Sequence, residues 1–290
     1  MEWTRSLRQA INYMETHLLE DIGAEEVAAA VHISPFYFQK GFKIMTGLTV
    51  GEYIRGRRLY MAALDLLAGD CPVIELAYRY GYDTPESFTK AFSRFHGVSP
   101  SQLRGNSRKI RTFLPLKITI QIQGGNDMDY RVEQMEAFQI IGFKREFAYD
   151  SSFQKIPQFW DEFNAGCSRL PADAAETVER CMIGEFGVCL EDMPGTGKFH
   201  YIIGGRYDGG AVPEGMEVVE IPGALWAKFT CTGPLPGSLQ SVNERIFKEW
   251  LPGNPDYEFA MDMNIEWYSA GDMSSADYES GIWIPVRSKK

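Results

Sequence analysis

The sequence predicts two domains of different class: an all-α, double helix-turn-helix unit over residues 1–108 and an α+β unit over 129–290, joined by a linker or first strand at 109–128. Three observations carry this reading. A fifty-residue repeat is confined to the first part, helical periodicity gives way to alternating strands near residue 110, and the charge changes sign at the same place. Of the total net charge of −10, residues 1–111 contribute +2 and the remainder −12. An apolar fraction of 44% suits an ordinary globular chain. No apolar run approaches the ~18 to 20 residues of a bilayer span, so the expected location is the cytoplasm, with no membrane partner. The five cysteines form no C-x-x-C pair and read as reduced thiols; no metal site or cofactor is expected.

The repeat pairs Glu25 with Glu75, Pro35 with Pro85, Phe38 with Phe88, Lys40 with Lys90, Phe42 with Phe92 and Gly47 with Gly97. Recurrence of punctuation together with apolar spacing marks one supersecondary unit used twice. Ser34-Pro35 and Thr84-Pro85 each set a hydroxyl N-cap before a proline at the first helical position, where the missing N–H costs nothing. From those starts Phe38, Phe42 and Met45, and then Phe88, Phe92 and Phe95, make one apolar stripe per helix. The remaining faces carry Phe36, Gln39, Lys40 and Lys43 in the first copy, and Glu86, Ser87, Lys90 and Arg94 in the second. Gly47 and Gly97 supply C-terminal stops. Short helices at 25–31 and 74–80 precede the caps, so each copy reads helix, tight turn, helix, the geometry that places a second helix in a major groove. Residues 50–68 form a spacer helix of roughly 28 Å, close to the ~34 Å between successive major grooves. Arg55, Arg57 and Arg58 near its start are expected to hold phosphates. His17, His32 and His96 read as surface or capping groups.

Residues 73–104, VIELAYRYGYDTPESFTKAFSRFHGVSPSQLR, with the preceding YIRGRRLYMAALDLL, resemble the AraC/XylS family of bacterial transcription regulators over about residues 3–108. The resemblance implies a seven-helix domain that binds double-stranded promoter DNA as a monomeric module. Its base-reading positions fall on Phe36, Gln39 and Lys40, and on Glu86, Ser87 and Lys90. A glutamate at 86 can accept from cytosine N4.

The second part reads as a strand through VEQMEAFQIIGFKREF, a helix at 152–167 and strands near 181–189 and 198–207. A strand pair at 217–231, a helix at about 235–251 and strands at 257–268 and 280–287 then repeat the order. Phe153, Ile156, Trp160 and Phe163 stripe one helix; Leu239, Val242, Ile246 and Trp250 stripe the other. Both helices are expected on one face of an antiparallel sheet. Alternation in EFAMDMNIEWY sends Met263, Ile265 and Trp267 toward the helices and Glu266 and Tyr268 to the open face, with Trp226 and Trp283 beside them. Tyr201 joins these as a binding residue, and Trp160 belongs to the core or the pocket floor. Aromatic walls around a carboxylate suit an amphipathic cation. A strand carboxylate facing water is the plainer reading of Glu266. PGTGK at 194–198 lacks the spacing of a phosphate loop, and no Ser-His-Asp or Cys-His set is spaced for catalysis.

MDYRVEQMEAFQIIGFKREF, the paired units, IEWY and the terminal YESGIWIPV resemble GyrI-like effector-binding domains. The resemblance implies two strand-helix-strand-strand units, a ligand groove and a key glutamate, which falls on Glu266. The combined expectation is a DNA-binding regulator, not an enzyme, controlled by a small amphipathic effector and contacting RNA polymerase. The alternatives are a small-molecule hydrolase and a ligand-sequestering module.

Overall fold

The computed structural model of the chain describes residues 2–69, 71–105, 110–118 and 128–289. They divide into two compact units, 2–123 and 124–290.

The first unit is helical: α1 (Glu2–Thr16), α2 (Ala24–Ala30), α3 (Pro35–Thr46), α4 (Val50–Ala68), α5 (Val73–Arg79), α6 (Pro85–His96) and α7 (Pro100–Gly105). The duplicated punctuation acts at both ends of α3 and α6. Ser34 Oγ accepts from Tyr37 N at 3.3 Å and Thr84 Oγ1 from Ser87 N at 3.1 Å. Gly47 and Gly97 both stand at φ +75°, a left-handed conformation that costs glycine nothing, and donate back to Lys43 O and Ser93 O. Phe38, Phe42, Phe88 and Phe92 are fully enclosed. His96, expected at the surface, is buried instead: its Nε2 meets Leu59 O at 3.0 Å, and burial lowers its pKa. The expected first strand within 109–128 is absent from 110–118, which have no regular structure, and 119–127 lie outside the described residues.

The second unit holds β1 (Tyr130–Met135), β2 (Phe138–Ala148), α8 (Tyr149–Gly166), α9 (Ala172–Arg180), β3 (Phe186–Leu190), β4 (Lys198–Arg206), β5 (Glu217–Ile221), β6 (Ala224–Thr232), α10 (Gly237–Arg245), β7 (Tyr257–Phe259), β8 (Met263–Tyr268) and β9 (Glu279–Ser288). A wider π-helical stretch, Ile246–Trp250, extends α10. The antiparallel sheet runs β1-β6-β9-β8-β3-β4-β2-β5, with β7 beside β9. Within it β2-α8-β3-β4 and β6-α10-β8-β9 are equivalent strand-helix-strand-strand units, and β3 and β8 pair at their junction. PGTG of the PGTGK segment forms a turn, and its Lys198 begins β4.

The helices cover the opposite face from the one expected. Phe159 of α8 packs on Phe147, and Trp250 packs on Phe229 and Tyr130. By register these partners share a face with Tyr201, Glu266 and Tyr268, not with Met263, Ile265 and Trp267. Alternation separates a strand into two faces but does not say which one a helix covers. The apolar set is buried without helices because the sheet curves: Trp226 of β6, second in the pairing order, and Ile221 of β5, last in it, share one core cluster with Ile140, Phe186, Ile202 and Ile265. On α8, Phe153 is exposed and Phe159 takes the buried place.

Candidate recognition helices and effector pocket

Glu86, Ser87, Lys90 and Arg94 are all exposed and, at i, i+1, i+4 and i+8, form one polar face of α6. On α3 the corresponding face is more enclosed. Phe36 is 2% exposed and packs edge-on against Tyr37 at 5.0 Å, so the expectation that it faces DNA is corrected: its ring is core. Gln39 is half-buried with Nε2 enclosed, Lys40 is half-buried, and Lys43 pairs with Glu52 at 3.2 Å.

The three arginines of α4 do not act together. At 100° per residue, positions 55 and 57 point 200° apart and cannot share a face. Arg55 is exposed, whereas Arg57 is 5% exposed and its guanidinium grips Glu15 through Nε at 2.8 Å and Nη2 at 2.7 Å. Arg58 donates to Leu18 O at 2.7 Å and Glu20 O at 2.5 Å, satisfying carbonyls that follow α1. Arg57 and Arg58 are therefore structural, which corrects their assignment to phosphates.

In the second unit, Glu266 Oε2 accepts from Tyr201 OH at 2.8 Å and from Tyr268 OH at 3.0 Å. Tyr201 OH in turn accepts from Trp160 Nε1 at 2.9 Å, and the Trp160 ring stands edge-on to Tyr268 at 5.1 Å. Burial, reinforced by the Glu266 charge, raises both phenols well above the usual tyrosine value, so they remain donors. Among the described residues no Lys or Arg pairs with Glu266. The carboxylate thus sits beneath α8 where β3 and β8 join the two strand-helix-strand-strand halves of the second unit, held by neutral donors alone. Cys189 and Cys231 share its sheet face, and burial pushes the Cys231 thiol up to about 12.

Four of the six expected ligand residues meet here: Glu266, Tyr268, Tyr201 and Trp160. Trp226 and Trp283 do not, since register places them on the opposite, concave face. There Trp226 is fully buried, and Trp283 lies near-parallel to Trp267 at 6.4 Å with Lys228 Nζ 4.0 Å over its ring. Sequence reasoning missed Gly187, the cross-strand partner of Glu266. A Cβ at that position would stand 2.1 Å from Tyr201 OH and 3.1 Å from Glu266 Oε2. An isolated glycine inside the strand FGVCL was the available signal of such a close approach.

Residues 131–286 match the family described as integron-associated effector binding protein, more than half of the chain. The chain belongs to that family. Residues 27–106 match a helix-turn-helix domain family, so an AraC-type helix-turn-helix domain precedes a GyrI-like effector-binding domain. The chain is similar to the helix-turn-helix-type transcriptional regulator YbfP of Bacillus subtilis, 34% identical over 104 residues, covering 36% of this chain and 35% of that protein. It is also similar to the right origin-binding protein of Escherichia coli K12, 26% identical over 179 residues, covering 59% of this chain and 61% of the other. The chain therefore spans about a third and three-fifths of these relatives. An integron cassette protein from the Vibrio cholerae mobile metagenome is 16% identical, covering 55% of this chain and 95% of that one with a TM-score of 0.39. No helix among the described residues is long and apolar enough to cross a membrane.

Proposed function

We propose that the protein is a cytoplasmic transcription regulator whose first unit binds promoter DNA and whose second unit binds an amphipathic organic cation that modulates promoter occupancy or contact with RNA polymerase. The observation that carries the ligand class is the Glu266 nest. Its carboxylate is half-buried among aromatic side chains, fixed by two phenols and without a cationic partner among the described residues. A cation with aromatic or aliphatic bulk supplies both the missing charge and ring contact. A differential affinity worth ~1 to 3 kcal/mol between two states of the protein would make a useful switch.

Titration with lipophilic cations, read by tryptophan fluorescence, should quench Trp160, and Glu266→Gln should weaken that binding at least about tenfold, since a charge-assisted contact becomes a neutral one. Equal affinity in the variant would remove Glu266 from the site. The Tyr201–Glu266 contact also favours a second reading, acid–base hydrolysis of an electrophilic ligand. Recovery of the ligand unchanged after prolonged incubation supports binding over turnover.

The exposed face of α6 supports the DNA reading. Lys90→Ala with Arg94→Ala should reduce affinity for duplex DNA and shallow the dependence of log K on log salt by about 0.9 for each phosphate no longer neutralised. An unchanged slope in electrophoretic shifts across salt would place the DNA elsewhere.

A further inference from the structure

Residues 110–118 follow the seventh helix on the way to the effector unit, and they are packed into the helix-turn-helix unit. The ring of Phe113 rests on α4 at Gly56, where a Cβ would stand 2.9 to 3.2 Å from three of its carbons. Glycine in mid-helix costs roughly 0.5–1 kcal/mol relative to alanine, so its presence at this point calls for a gain that the ring provides. Arg57 Nη1 donates to Phe113 O at 2.5 Å, and Leu116 N donates to Tyr53 OH at 3.4 Å. Ile110 packs on the core of the second helix-turn-helix copy, and the Arg111 guanidinium lies 4.8 Å over Phe95.

Phe113 also joins the two copies through rings. From α3, Phe38 meets Phe42 at 5.8 Å, Phe42 meets Tyr53 of α4 at 6.0 Å, and Tyr53 meets Phe113 at 6.1 Å. On the other side Phe113 meets Phe95 of α6 at 5.8 Å, then His96 follows at 4.8 Å, Phe92 at 4.5 Å and Phe88 at 5.5 Å. A continuous file of packed rings therefore runs from one recognition helix to the other, with a linker residue in its middle. Packed interiors resist small displacements because each pair of atoms is near its optimal distance.

We propose that residues 110–118 are a strap that fixes the relative placement of α3 and α6, with Phe113 and Gly56 as positioning residues for simultaneous reading of two half-sites. The proposal rests on the DNA-binding reading above. Two linked binding events reinforce each other only while their geometry permits both to form at once. A loosened strap therefore removes the advantage of the second half-site and leaves the affinity for each single half-site as it was.

The test uses the full-length chain. Duplexes are selected from random sequence with the wild-type protein, then remade with either half-site scrambled. Wild type should lose at least about tenfold in affinity on scrambling either half. Phe113→Ala and Gly56→Ala should bind the intact duplex about as weakly as wild type binds a scrambled one, and should lose little more on scrambling. Gly56→Ala introduces a better helix former, so a loss in that variant comes from the displaced ring. Phe113→Leu keeps an apolar wedge without the ring packing and should fall between; it carries the comparison if an alanine variant loses its helical melting transition. Variants that keep the full wild-type contrast overturn the strap. Selection of no duplex by the wild-type chain overturns the DNA-binding reading, and the strap with it, whereas wild-type binding that depends on one half-site only overturns the strap alone.

Discussion

Gly187→Ala is expected to abolish effector binding and to destabilise the second unit by about 2 to 4 kcal/mol, the sum of an overpacked site and broken buried hydrogen bonds. The new methyl group would overlap the Tyr201 hydroxyl at 2.1 Å and crowd Cζ at 2.9 Å. Tyr201 is fully enclosed and cannot swing into solvent, so its hydroxyl must leave Glu266 and Trp160 together. The carboxylate then keeps Tyr268 as its one remaining phenol donor. Two measurements separate this from general damage. Urea unfolding of Gly187→Ala with Tyr201→Phe should show a smaller loss than the sum of the single variants, because removing the hydroxyl relieves the worst overlap. DNA affinity without ligand should be unchanged, since the first unit is compact in itself. Wild-type affinity for a lipophilic cation in Gly187→Ala would show that the ligand does not use the nest.

The helix-turn-helix unit was legible because its signals are local. A hydroxyl before proline, a stripe at i, i+4 and i+7, and a glycine twelve residues after each proline all act within one helix, and each occurs twice. The arginine cluster misled because adjacency in sequence is not adjacency on a helix: Arg55 and Arg57 leave α4 on opposing sides, and Arg57 and Arg58 satisfy groups some forty residues away. Nothing local marks Glu15 as a partner of Arg57.

The sheet was legible as alternation and illegible as orientation. Residues 263–268 split into two sets, but the assumption that the more apolar set meets the helices failed because the curved sheet buries that set against itself. Glu266, Tyr268, Tyr201 and Trp160 still come together, because the alternation that separates Glu266 and Tyr268 from Ile265 and Trp267 holds whichever face the helices cover. Gly187 acquires meaning only from the β3–β8 register, which joins positions 79 residues apart.

Replacing Arg57 by alanine should cost the first unit about 3 to 5 kcal/mol, the range for breaking a buried pair from one side. The two side chains are 6% and 20% exposed, and the guanidinium makes three hydrogen bonds of 2.7 to 3.0 Å to the Glu15 carboxylate. Burial alone would lower the Arg57 pKa, but Glu15 more than offsets this and raises it, so the cation is tied to its partner. Without it the Glu15 charge retains the Tyr53 hydroxyl at 2.6 Å, which cannot neutralise it, and Phe113 O loses its donor. An exposed pair would cost at most ~1 kcal/mol. The double variant Glu15→Leu with Arg57→Met removes both charges and should unfold at a higher urea concentration than Arg57→Ala. A loss under ~1 kcal/mol in Arg57→Ala, or additive losses in the double variant, would mean that the pair is solvated and that α4 is held to α1 by apolar packing instead.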